Sequence, residues 1–143
     1  MEDINNISDP LIAYDSVDDR NIIYLINAIR QGIKFNFFVS IANNSPFSMV
    51  EWSAFLHISE RTMQRYKKEK RTFDLLQSEK ILQIALLYKM GTDIFGSKEK
   101  LHSWLEAENI ALGKIKPKEL LDNAFGIGLL KDELTRIEQG VLA

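Results

Sequence analysis

Between Glu60 and Arg71 (ERTMQRYKKEKR) lie six bases and two acids, in a chain whose 18 Lys and Arg are outnumbered by 20 Asp and Glu. On a helix, Arg61, Gln64, Arg65 and Lys68 recur three and four residues apart, so they face outward together with Glu60. Arg pairs bidentately with guanine and Gln with adenine, so Arg61, Gln64 and Arg65 suit the reading of base edges in a major groove. Thr62, Lys67, Lys68, Lys70 and Arg71 suit phosphate contacts, which fix register without reading sequence. Ser59 stands at the start of the run, as its helix cap and first polar contact. The competing interpretation is an αα-hairpin with a solvated, salt-bridged face.

Little else in the chain could do chemistry. The chain has no Cys, and its two His, His57 and His102, have no paired ligand, so thiolate chemistry and a metal centre are not expected. His102 is expected on a helix surface. Asp18-Asp19 and Asp132-Glu133 are adjacent acids that point different ways on a helix, as solvated groups do. No glycine-rich loop follows a strand, and Gly126-x-Gly128 reads as a helix break. Nothing pairs a nucleophile with a base and an orienting acid. We expect no enzyme, no cofactor and no metal.

To present Arg61, Gln64 and Arg65, two short helices must cross tightly, and residues 49–68 have that pattern. Trp52, Leu56, Ile58, Met63 and Tyr66 fall inward, and Ser53 is the small residue that lets the helices approach. His57 stands at the turn position usually given to Gly, where φ is positive. Ser48 caps the first helix, Met49 to Leu56, and Ser59 the second, Glu60 to about Lys68. This is a helix-turn-helix, whose second helix would enter the major groove.

Around this unit the 143 residues are 45% apolar and 27% charged, the balance of a soluble globular domain. Apolar runs of a few residues are far short of the ~20 that span a bilayer. The acidic start, MEDINNISDP, does not read as a secretory signal, so a cytoplasmic protein is expected. The charge is uneven: residues 1–31 carry six acids and two bases, residues 32–96 six acids and nine bases, and residues 97–143 eight acids and seven bases.

Residues 1–18 lack periodicity and read as a mobile acidic arm. Ile22, Leu25, Ile26 and Ile29 then mark a helix ended by Gly32. For Lys34–Ala42, helix is favoured over strand because no strand partner is nearby. Ser78 is read as opening a helix apolar nearly all round, closed by Gly91 and Gly96. Such a helix is either central or covered by a second subunit, and Ile81, Ile84, Leu87 and Tyr88 are the candidate dimer contacts. Ser97 caps a helix carrying Leu101, Trp104 and Leu105 and ending near Asn109. Pro117 starts another, through Leu120, Leu121 and Phe125 to a stop at Gly126. The last runs from about Leu129 to Gln139 with Gly140 as cap; Asp132 and Arg136 are spaced to pair on it. The fold class is all-α: a helix-turn-helix and dimerisation domain over 19–95, then a small helical domain over 96–143.

Residues 58–71, followed by Phe95-Gly96, Trp104-Leu105, Asn109, Leu112-Gly113, Pro117, Leu120-Leu121, Gly126, Leu134, Arg136-Ile137-Glu138 and Gly140-Val141, resemble the Xre/MbcA/ParS antitoxin family over roughly residues 32–143. Glu108 departs from a common proline, Lys114 from a second glycine, and Leu129-Leu130 from valine. The resemblance implies an antitoxin of a type II toxin–antitoxin pair. Its C-terminal domain would occlude the active site of a RES-domain toxin that consumes or modifies with NAD. Its helix-turn-helix would bind promoter DNA and autoregulate the operon. Trp104, Asn109, Leu112, Leu134, Ile137, Glu138, Gly140, Val141 and Leu142 are then the toxin-binding candidates. Read by themselves, Trp104, Leu105 and Leu112 could simply be core. The stripe Leu134, Ile137 and Val141 fits either a partner or the preceding helices. A stand-alone regulator, whose second domain only dimerises or senses a ligand, is the alternative function.

Overall fold

The computed structural model describes residues 19–140. Among them lie seven α-helices: α1 (Asp19–Gln31), α2 (Phe35–Asn43), α3 (Met49–Phe55), α4 (Glu60–Glu69), α5 (Leu75–Phe95), α6 (Lys98–Glu106) and α7 (Ala124–Glu138). Single 3-10 turns cover Ile110–Leu112 and Pro117–Leu120. Extended pairing among these residues is limited to two isolated bridges, Lys34 with Thr72 and Asn109 with Ile115. The protein is all-α, and the expected helix over Lys34–Ala42 is α2. The arm expected at 1–18 lies outside the described residues.

The apolar helix is central. α5 packs against α1, α6 and α7, with Ile81, Leu82 and Ile84 sealed inside. Its start lies earlier than Ser78. Asp74 accepts the Gln77 N–H at 2.8 Å while Gln77 Oε1 accepts the Asp74 N–H at 3.2 Å, a reciprocal cap. Ser78 instead is buried one turn in. Its Oγ accepts the Ile33 N–H at 2.8 Å and donates to the Phe73 carbonyl at 3.2 Å, pinning two loops to α5. Nor does Gly91 end the helix: a Cβ there would meet Leu101 Cδ1 at 2.6 Å, so Gly91 is where α6 crosses. Gly96, at φ +80°, is the terminator.

The C-terminal half departs further from expectation. Pro117 opens only a 3-10 turn, and α7 begins at Ala124, where Asn123 Oδ1 accepts the Gly126 N–H at 2.7 Å. Gly126 and Gly128 therefore lie inside α7, neither a stop nor a break. Phe125 is 93% exposed in the first turn of α7. Glu133 is buried, not solvated, and takes Arg136 on Oε2 at 2.8 Å in place of the expected Asp132 pair. His102 is half-buried, its Nε2 2.6 Å from the Tyr88 hydroxyl, whose pKa burial raises. Lys114, standing for a second glycine, adopts the left-handed conformation at φ 64°.

Beyond the packing of α6 and α7 on α5, polar contacts tie the C-terminal half to the α3–α4 unit. His57 Nε2–H donates to the Asp122 carbonyl at 2.6 Å, and Lys118 Nζ bridges Glu51 Oε2 at 3.0 Å and Glu106 Oε1 at 2.8 Å. Burial works to raise the Glu51 pKa, but the Ser48 N–H and Lys118 outweigh it and hold the carboxylate low. Hydrogen bonds to Glu106 and Glu51 hold the ammonium high. A lowered acid stabilises above its ordinary value and fails as pH falls; a raised base stabilises below its ordinary value and fails as pH rises. The bridge therefore acts fully between pH 4.5 and 10.5, the ordinary values of the two groups. Lys118→Met should cost up to ~1 kcal/mol at neutral pH. In thermal melts, its difference from the parent chain should vanish as pH falls through the Glu51 pKa.

Candidate functional site

The helix-turn-helix is built locally. Ser48 Oγ accepts the Glu51 N–H at 3.1 Å while Glu51 Oε1 accepts the Ser48 N–H at 3.0 Å, starting α3. α3 ends with Ile58 N–H on Ser53 O at 3.0 Å and His57 N–H on Ala54 O at 3.2 Å, the doubled closure of a helix that stops on a left-handed residue. That residue is His57, at φ 57°, as its place in the turn required. Trp52, Ser53, Leu56 and Met63 are buried, and Ile58 and Tyr66 pack half-buried on the same core. Phe38, Phe47 and Phe55 meet Trp52 edge to face, with centroids 5.2 to 6.0 Å apart, fixing the angle of α3.

Met63 anchors α4, and the opposite side is all polar. Arg61, Gln64, Arg65, Lys67 and Lys68 are exposed, and none of these side chains is in an ion pair or hydrogen bond among the described residues. Ser59 Oγ accepts the Thr62 N–H at 3.0 Å and donates to Thr62 Oγ1 at 2.9 Å, so both hydroxyls belong to the cap. Arg71 is held back: its guanidinium lies 5.3 Å over the Tyr66 ring and pairs with Glu69 at 3.3 Å. Lys70, at φ 52°, turns the chain there. What α4 offers outward is a row of unneutralised cations and one amide, a surface for a polyanion with readable edges.

A second surface forms where α6, the 110–112 turn and α7 meet. An open cleft of about 370 Å3 is lined by Trp104, Ala107, Glu108, Asn109, Ile110, Ala111, Glu133 and Ile137. Of the expected toxin contacts, Trp104, Asn109 and Ile137 come together here. Leu112 and Leu134 are buried and lie beneath the surface as core. Glu138 and Gly140 are exposed at the end of α7, outside the cleft. Val141 and Leu142 are not among the described residues. The other five lining residues, Ala107, Glu108, Ile110, Ala111 and Glu133, were not among the candidates. Ile110 is 85% exposed, and its only signal was an apolar residue in a polar loop. Glu133 looked solvated because its neighbour Asp132 is.

The dimer contacts expected on α5 are not free. Ile81, Ile84 and Leu87 are buried against the chain's own helices, and Tyr88 is half-buried on His102. Of the two explanations for so apolar a helix, the central position accounts for it. Among the described residues, no helix is long and apolar enough to cross a membrane.

Comparison with known proteins finds two successive domain matches along the chain. The family described as the antitoxin Xre-like helix-turn-helix domain matches residues 25–86, and the antitoxin Xre/MbcA/ParS C-terminal toxin-binding domain matches residues 90–140. The two matches meet within α5. A protein named antitoxin Xre, from Photorhabdus laumondii subsp. laumondii, is 26% identical over 120 residues, covering 82% of this chain and 81% of the relative. The crystal structure of the M. tuberculosis MbcT–MbcA toxin–antitoxin complex contains a chain with the same fold. It matches at a TM-score of 0.59 and 13% identity, over 74% of this chain and 94% of that one.

Proposed function

Because the chain belongs to the Xre/MbcA/ParS antitoxin family, with both of its domain types in order, we propose that it is the antitoxin of a RES-domain, NAD-consuming toxin and the repressor of their shared promoter. The C-terminal cleft and the end of α7 would cover the toxin's active site, so neutralisation is steric. As a dimer, the protein would set two α4 helices about 34 Å apart, the spacing of successive major grooves. That contact must use surface other than the buried faces of Ile81, Ile84 and Leu87.

One observation carries this reading. A single small body presents an unneutralised basic helix and an apolar cleft that share no residue. One suits DNA and the other suits protein, so both can be engaged at once. Placing charge in the cleft should separate the two functions. With Ile137→Asp, cells producing the cognate RES-domain toxin should lose protection and their NAD, while promoter binding in a gel-shift assay stays as in the parent. Full protection by this variant would remove the cleft from the mechanism.

A further inference from the structure

The cleft does more than offer apolar surface, because a carboxylate lies in its lining. Glu133 is 7% exposed, among Trp104, Ile110 and Ile137. Its Oε2 takes Arg136 Nη1 at 2.8 Å, from a side chain that is itself 51% exposed. Its Oε1 has no partner among the described residues. Two acids, Glu108 and Glu133, line the cleft, and no Lys or Arg does. A largely buried carboxylate paired on one oxygen, with the other still reached by solvent, keeps acceptor capacity in the lining of the cleft.

Resting on the antitoxin reading above, we infer that this cleft receives an arginine side chain of the toxin, its guanidinium held by Glu133 and stacked against the Trp104 indole. The chemistry selects the residue. A guanidinium is flat, weakly hydrated and rich in donors, so it can lie on an indole face and still bond a carboxylate edge-on. A Lys ammonium is a strongly hydrated point charge and fits a half-apolar cleft less well. A purely apolar side chain would leave the Glu133 oxygen without water or partner, which disfavours wrong occupants. Ile110 and Ile137 would cover the aliphatic stem.

The test uses a purified cognate RES-domain toxin, with affinity read by calorimetry. Glu133→Gln keeps shape and removes charge, so it should weaken the complex by roughly tenfold or more and lower its salt sensitivity. Each toxin arginine is then changed to Gln, against the parent chain and against Glu133→Gln. One arginine should matter strongly in the first background and little in the second. Should Glu133→Gln lower the melting temperature, the same cycle with Trp104→Leu decides the matter, since that change leaves the carboxylate pair intact. Failure of every arginine to couple with either residue, or coupling to a lysine instead, overturns the inference while toxin binding stands. Absence of any complex with the parent chain overturns the antitoxin reading and this inference with it.

Discussion

Changing Arg61 and Arg65 together to Ala should remove sequence-specific promoter binding while leaving folding and toxin neutralisation as they were. Each side chain is exposed on α4 with no protein partner among the described residues. Removing it therefore leaves no orphaned group and should move the melting temperature little. On DNA, each bidentate Arg–guanine contact contributes about 1–3 kcal/mol, so the double variant should lose roughly 2–6 kcal/mol. The two lie one turn apart and can share a base step, so the sum need not be additive. Lys67→Ala or Lys68→Ala should behave differently. Each should weaken specific and random DNA alike and reduce the salt slope by about one. Fluorescence anisotropy with promoter and scrambled duplexes at two salt concentrations separates the classes. Unchanged promoter affinity in the double Arg variant would falsify the helix-turn-helix as a DNA reader.

The α3–α4 unit was legible because everything that makes it is local. Its caps bond three residues ahead, its apolar positions follow the helical period, and its turn needs one residue with positive φ, supplied by His57. Where tertiary partners override local signals, reading failed in a consistent way. Ser78 has the type of a cap, but Ile33 and Phe73, distant in sequence or in the preceding loop, use its hydroxyl. Gly91 looks like a terminator, yet its missing side chain makes room for Leu101. The dimer seam was inferred from an apolar helix whose cover lies within the same chain. The cleft was legible in part. Trp104, Asn109 and Ile137 stand out in motif, whereas Glu133 belongs to it only because α7 turns that side chain inward. No sequence spacing announces Lys118 between Glu51 and Glu106, or His57 on Asp122.

Gly126 and Gly128 offer the sharpest contrast, since the same substitution two residues apart should have opposite signs. Both lie within α7, where Ala is favoured over Gly by up to ~1 kcal/mol. At Gly128 a new Cβ meets no atom within 4 Å, so Gly128→Ala should gain that increment. At Gly126 the Cβ would run into the Leu120 carbonyl and lie 3.0 Å from Leu120 Cβ. Neither can move aside easily: Leu120 ends the 3-10 turn between buried Pro117 and buried Leu121. α7 would have to shift away, at a cost of about 2–4 kcal/mol after the helix gain. For a chain of this size that is roughly a 10 °C fall in melting temperature, against a rise of a few degrees for Gly128→Ala. The damage should also spread to function. The displaced segment carries Lys118 and Asp122, which hold Glu51 and His57 of the helix-turn-helix, so Gly126→Ala should loosen α4 and the cleft together. Equal and favourable shifts for both variants would show that α7 does not approach the 117–120 turn closely, and that Gly126 is dispensable to the junction.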